Sequence, residues 1–440
     1  MKKHLTMLAL VILATSFAAC SNSDSPDGSD SSQNSGDLVK QVKSALTRQT
    51  PNIPDADFQK NINAQYDLNF NLLRQADSQL KDKNACLSTF SLQSAMAMAW
   101  AGSDGTTATE IANALGFDAS SHQALNKIQS LFVSHNRDAE ESEYESHDAV
   151  IASYANDLYL APGHNWNPEW LDELAKNYDA GVTEMNFAKD PEASRAYIND
   201  AVSKATHDRI KDLLPEGTID TNTVSVLTNA TYLKVPWRDS FGIASTPIDF
   251  HLSDGSTVQP EYIVTHTHYN YYKADNYQAV TVPLFGNSFD VLFIMPDAGS
   301  LADVQSTLNA QEINQIFNGL AFKDIHLFIP SIKFETSWNV KKILSDMGMN
   351  APFDQSTANF SKMTTDPNDF YLSAILQKTF IAMDKHGVEG AAATAIVAAS
   401  ESIEMEPPLE LKIDNPYFFI IYEKESKSPI FFARVLDPTK

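Results

Sequence analysis

The chain has 440 residues, 43% of them hydrophobic, with 56 acidic against 32 basic side chains and a formal net charge of −24. So acidic a surface repels nucleic-acid phosphates and anionic lipid, and no basic run offsets it, which argues against both as partners. No internal stretch is apolar for long enough to span a bilayer.

In chain order, the first element reads as an export leader over residues 1–19. Lys2 and Lys3 give a positive start, Leu5 to Ala14 an apolar run, and Phe17-Ala18-Ala19-Cys20 a small-residue cleavage site. The site is similar to a bacterial lipobox, in which Cys20 takes the lipid and becomes the new N-terminus. Phe17 departs from the leucine usual there, and an ordinary leader with an incidental cysteine is the other reading. Residues 20–37 follow as a tether: Ser21 to Asp37 is almost wholly Ser, Asp, Asn and Gly, with nothing to bury. Ser21 after the cysteine resembles lipoproteins routed to the outer membrane or cell surface. Cys86 is the one other cysteine, so no internal disulfide is expected, and the residue reads as a small buried apolar group.

Length alone allows two or three domains, but no low-complexity linker follows Asp37, so residues 38–440 are expected to form one body. Apolar spacing predicts helices over Phe58–Gln75, Ser91–Trp100, Thr107–Leu115, Pro168–Tyr178 and Ala193–Leu214. Runs of β-branched and aromatic residues predict strands over Val224–Lys234, Tyr271–Val282, Asp290–Met295, Ile325–Phe334, Tyr371–Met383, Leu409–Ile413 and Tyr417–Tyr422. Helices first and strands later indicate an α+β fold.

No nucleophile elbow, zinc-protease helix, P-loop or dinucleotide fingerprint is written in the chain, so no enzyme and no cofactor is expected. His266 and His268 lie two apart and could share a strand face. No carboxylate stands at ligand spacing beside them, so a surface reading is preferred to a metal site.

The most informative segment runs from Asp384 to Ser402, with few large side chains, no proline and almost no charge. Alone it could be a short alanine-rich helix or a flexible linker. It is followed by Asn415-Pro-Tyr-Phe-Phe-Ile-Ile421 and Ser428-Pro-Ile-Phe-Phe-Ala-Arg-Val-Leu-Asp-Pro438. Together with Asn229-Ala-Thr-Tyr-Leu-Lys-Val-Pro-Trp-Arg-Asp-Ser-Phe241, Asn84-Ala-Cys-Leu-Ser-Thr-Phe-Ser91 and Gly102-Ser-Asp-Gly-Thr-Thr-Ala-Thr-Glu110, these runs resemble the signature segments of serpins, in the same order, over about residues 55 to 440. With its leader, the chain resembles a bacterial, lipoprotein-type member.

The resemblance implies three β-sheets, about nine helices and an exposed reactive loop near residues 385–408. A protease cleaves the loop, whose N-terminal part then enters the central sheet as a new strand and drags the acylated protease with it. Onto the hinge map Lys385, Gly387, Val388, Glu389, Gly390, Ala391, Ala392, Ala393 and Thr394; Val388, Gly390 and Lys385 depart from the usual residues. The gate between the parting strands maps onto Ser88, Ser91, Asn229 and Gln377, the last replacing a histidine. Trp237 matches the tryptophan at the loop's entry point.

Side chains alternate along a strand, so Val388, Gly390, Ala392 and Thr394 would face the core, with Glu389 on the other side toward solvent. Counting forward from Lys385 puts the cleaved bond between Glu401 and Ser402; counting back from Pro416 gives Met405. The expected partners are serine-type proteases of glutamyl-preferring, elastase-like or subtilisin-like kind, with cysteine proteases as cross-class targets, and the protein is expected to be a monomer. The other functional reading is a non-inhibitory surface protein of the same fold, acting as a protease substrate or a binding module.

Overall fold

A computed structural model describes residues 38–80, 82–141, 146–364, 366, 370–389 and 407–440. Cys20, the leader and the tether, Gly390 to Thr394, and the bonds at Glu401–Ser402 and Met405 lie outside the described residues. The chain opens with β1 (Val39–Val42), α1 (Asp55–Leu80), β2 (Ala85–Leu87), α2 (Thr89–Ala101), α3 (Gly105–Leu115) and α4 (Ser121–Ser134). Next come β3 (Ile151–Leu160), α5 (Pro168–Tyr178), β4 (Val182–Met185), α6 (Pro191–Ala205) and β5 (Ser225–Pro236). The second half holds β6 (Tyr262–Lys273), β7 (Tyr277–Pro283), β8 (Phe289–Pro296), α7 (Leu301–Thr307), α8 (Ala310–Gly319), β9 (Ala321–Pro330), β10 (Ile332–Asn339) and α9 (Val340–Asp346). It ends with β11 (Ala374–Asp384), β12 (Gly387–Val388), β13 (Leu409–Lys412), β14 (Tyr417–Glu423) and β15 (Pro429–Val435).

The result is α+β, with nine α-helices among the described residues and three sheets. The central sheet has the order β1-β4-β3-β5-β12-β11-β10. A second path runs β13-β9-β6-β7-β8-β14-β15-β2. It divides at β6, whose first part pairs with β9 and whose last residues, from Asn270, pair with β7. The strands β13, β9 and β6, with Gly242–Ile243 alongside β6, thus make a third, small sheet.

Burial explains the layering. Along α1, Phe58, Ile62, Tyr66, Phe70 and Leu73 are all buried, as their spacing requires of one helical stripe. Helix α2 is buried through Ala99 and lies within the protein against the sheets. In β5 the alternation separates two cores: Leu227, Leu233 and Val235 face the main one, while Val226 and Ala230 pack with Ile198 and Val202 of α6. The central sheet is therefore covered on both faces near β5, and its edge strand β10 keeps one wet face.

Several predicted boundaries are corrected. The helix expected to run to Leu214 stops at Ala205, because Thr206 folds its hydroxyl back onto Val202 and the next two residues, His207 and Asp208, take positive φ of 49° and 63°. The run Tyr271–Val282 is two strands joined by a turn at Ala274–Asn276, and Ile325–Phe334 breaks after Pro330, whose ring removes a ladder donor. Cys86 is buried at the sheet interface, where desolvation pushes its thiol up to about 12, so it is unreactive in the folded protein.

His122 is enclosed between Trp100, stacked at 4.9 Å, and the Tyr178 hydroxyl at 2.6 Å from Nδ1. Burial lowers its pKa from 6.5 to about 4. The unfolded chain therefore binds a proton below pH 6.5 that the folded chain refuses until about 4, and stability falls as pH drops through that window. The expected loss at about pH 5 is roughly 2 kcal/mol. His122→Gln, which can still bond Tyr178 but cannot titrate, should flatten the fall of the apparent unfolding midpoint between pH 7 and 5, measured at one scan rate.

Candidate functional site

The central sheet is paired continuously at one end and wedged open at the other. Strands β5 and β11 run parallel and pair directly from Val226/Ala374 to Asn229/Gln377. Beyond that point, no ladder joins Ala230–Lys234 to Lys378–Ala382 among the described residues. The strands are bridged again only where β12 sits between them: Gly387 and Val388 pair antiparallel with Pro236 and Val235 on one side and with Asp384 and Met383 on the other. A span of sheet is thus left unzipped, with the start of the predicted loop in its mouth.

Each residue of this wedge has a local reason to be there. The turn from β11 is made by Asp384, whose carboxylate accepts from the His386 amide at 2.8 Å, while Lys385 points to solvent. Trp237 fastens the turn: its indole donates to the Asp384 carbonyl at 2.7 Å and its amide to the His386 carbonyl at 3.1 Å. Gly387 has φ of 149°, and a Cβ there would lie 2.3 Å from the Val235 carbonyl oxygen, so no other residue can pass so close to β5. Val388 is 1% exposed and joins the main core.

Glu389 corrects the expectation of a solvent-facing charge. It lies on the α6 side of the sheet, is 7% exposed, and is ion-paired with Arg209. Its amide donates to the Ala382 carbonyl at 2.8 Å, and its φ is +48°. Arg209 lies over Phe380 at 5.8 Å, and beside it the Tyr232 ring lies tilted against His207 at 4.8 Å. Burial and the neighbouring Glu389 carboxylate push the Tyr232 phenol up, and the same carboxylate raises Arg209 further. Tyr232 lies within the Asn229–Phe241 segment, but Arg209 was marked by no motif; the signal available in the sequence was that a lone glutamate in an otherwise uncharged run needs a cation if it is ever buried.

At the closed end, Ser88, Ser91, Asn229 and Gln377 come together. The Gln377 amide donates to the Ser88 carbonyl at 2.8 Å and to Asn229 Oδ1 at 2.7 Å. Its Oε1 accepts from the Trp338 indole at 3.2 Å and from the Ser88 amide at 3.4 Å. Ser88 caps α2 by accepting from the Ser91 amide, and the Ser91 hydroxyl donates to Asn156 on β3 at 3.0 Å. Every one of the four is at most 1% exposed. Glutamine, with a donor and an acceptor at one tip, here joins β5, β10, β11 and the start of α2 in one network.

The expectation that no carboxylate stands beside His266 and His268 is also corrected, since β9 brings Asp324 between them.

A seven-stranded central sheet split at its centre, covered by a helix and entered by the start of a long connection, defines a class of protein. Residues 63–438 match the family described as Serpin (serine protease inhibitor), and the chain belongs to that family. It is similar to a leukocyte elastase inhibitor of Xenopus laevis, 28% identical over 84% of this chain and 97% of that protein. It is also similar to human Serpin B8, at 30% identity over 84% and 96%. Among solved structures it resembles the native state of the thermophilic serpin tengpin, with a TM-score of 0.76 and 22% identity over 91% of this chain and all of the other.

Proposed function

We propose that this protein inhibits serine-type endopeptidases as a suicide substrate, trapping the enzyme by inserting its own cleaved loop. The observation that carries the reading is the insertion of Gly387 and Val388 between β5 and β11, with unpaired sheet ahead of them. Extending β12 in register, each further loop residue meets one earlier residue on each neighbour. Glu389 to Ala393 would fill the unzipped span, and Thr394 would arrive between Asn229 and Gln377. Gly390, Ala392 and Thr394 would then share the core side with Val388, and Ala391 and Ala393 the side toward α6, where small side chains are needed.

In this reading the protease serine hydroxyl attacks the Glu401 carbonyl carbon, the bond to the Ser402 nitrogen breaks, and the protonated amine leaves. The enzyme remains esterified to Glu401. Insertion then competes with water for that ester. Met405 is the alternative cleaved residue, and glutamyl-preferring, elastase-like or subtilisin-like enzymes fit the residues near the two bonds. Cys20 would carry a lipid and hold the inhibitor, as an exported monomer on a polar tether, at an outer membrane or cell surface. Cysteine proteases are admissible targets, because their thioester intermediate can be trapped in the same way.

Incubation with a panel of such proteases, followed by denaturing gels and mass mapping of the cut, tests the proposal. A denaturant-stable complex and a cut at Glu401 or Met405 support it. Cleavage without any trapped complex across the panel would assign the chain instead to the substrate or binding-module reading.

The pairing of Glu389 with Arg209 makes a separate prediction. Arg209→Ala leaves a buried carboxylate uncompensated, a cost of roughly 1–2 kcal/mol once the half-exposed position of the arginine is allowed for. Hydrogen exchange in the peptide containing Val388 and Glu389 is expected to quicken about tenfold, with peptides around Gln377 unchanged. Equal exchange in variant and parent would show that the ion pair does not hold the hinge.

A further inference from the structure

We infer that the exposed face of the small sheet is a binding site for a first-row transition-metal cation of the zinc type, built from His266, His268, Asp324 and His326. Register puts these four side chains in one square. His266 is directly opposite His326 and His268 directly opposite Asp324, on the antiparallel pair β6 and β9. Residues two apart on a strand project to the same face, and cross-strand partners have their Cβ atoms about 4.5–5.5 Å apart, so all four heads can reach one point above the sheet. Three imidazoles and one carboxylate are a donor set suited to zinc.

The side chains are already gathered. Asp324 Oδ1 is 3.1 Å from His266 Nε2 and 3.9 Å from His268 Nδ1, and the rings of His266 and His326 are 5.8 Å apart. No three of them converge on a cation position in the arrangement described. His266 and His268 are 53% and 42% exposed, so both can turn on the solvent side to meet a cation. Aromatic neighbours orient the rings: Phe322, itself 72% exposed, stacks on His268 at 5.0 Å, and Phe328 lies 4.4 Å from His326. Glu410 of β13 stands in register with His326 and can accept from its second ring nitrogen, the role carboxylates often take behind a metal-bound histidine. Nearby Lys412 is neutralised by Glu410 at 2.6 Å, Lys323 turns to the Tyr271 ring, and the acidic chain as a whole attracts cations.

The test is calorimetric titration of the purified chain with zinc chloride, repeated with His266→Ala, His326→Ala and, as a control, His251→Ala. One saturable site is expected, weakened at least about tenfold in the first two variants and unchanged in the control, with a zinc-dependent rise in unfolding midpoint that follows the same pattern. The replaced side chains lie on a surface, and the midpoints without zinc report whether each variant is folded. Absence of saturable binding, or binding by folded His266→Ala and His326→Ala as tight as that of the parent, overturns the inference.

Discussion

Val388→Arg is expected to raise the number of inhibitor molecules consumed per protease trapped by more than about tenfold, with cleavage of the loop itself unimpaired. Val388 is buried in the main core at the mouth of the split. A guanidinium among the apolar side chains of that core would cost roughly 3–5 kcal/mol to bury. The substituted side chain would be driven out of the mouth in the intact protein and would have to be buried there as the cleaved loop enters, so the added barrier falls on the step that must outrun hydrolysis of the ester, and each 1.4 kcal/mol slows it about tenfold. The measurements are the stoichiometry of inhibition and the melting of the cleaved product, which should stay near that of the intact protein. Val388→Thr, of similar size, should behave as the parent. Undiminished trapping by Val388→Arg would mean that the loop does not enter the sheet through this position.

The second large effect is expected at the gate. Gln377→Met keeps the volume but removes every polar contact of the side chain, leaving the Ser88 amide, Asn229 Oδ1 and the Trp338 indole without this partner, while the Ser88 carbonyl keeps the Leu92 amide. Orphaned buried groups cost about 1–3 kcal/mol each, and a total of roughly 3–6 kcal/mol should lower the apparent unfolding midpoint of the intact protein by several degrees. The cleaved protein should suffer less. There Thr394 would separate Asn229 from Gln377, so that bond is already lost and cannot be lost again. Equal destabilisation of intact and cleaved forms would count against insertion as far as the gate.

How much of this was legible beforehand divides along physical lines. Stripes such as Phe58 to Leu73 and the dense aromatic strands near the C-terminus reveal themselves, since one buried face leaves a clear period. Strand β3 was missed because Ile151–Leu160 mixes Ser, Asn and Asp among its apolar residues, and what holds it is its place between β4 and β5. Helices α7 and α9, of seven residues each, are too short for a period to stand out. Ser88, Ser91 and Asn229 were legible because they lie inside recognisable segments, whereas Gln377 was placed only by the family resemblance. Arg209 was not, being 180 residues from Glu389, and neither was Asp324 beside the histidine pair; both contacts are made by folding, across chain separations that no local pattern encodes.

Cys86 gains a use from its surroundings. Its amide is held by Thr336 of β10 and its carbonyl by Thr379 of β11, two strands that the proposed insertion would have to move away from β5. A thiol sealed at that sliding seam is a natural stopwatch. Reagent that cannot touch it at rest would report, by the moment of its capture, how long the seam stays ajar while a protease is being carried off.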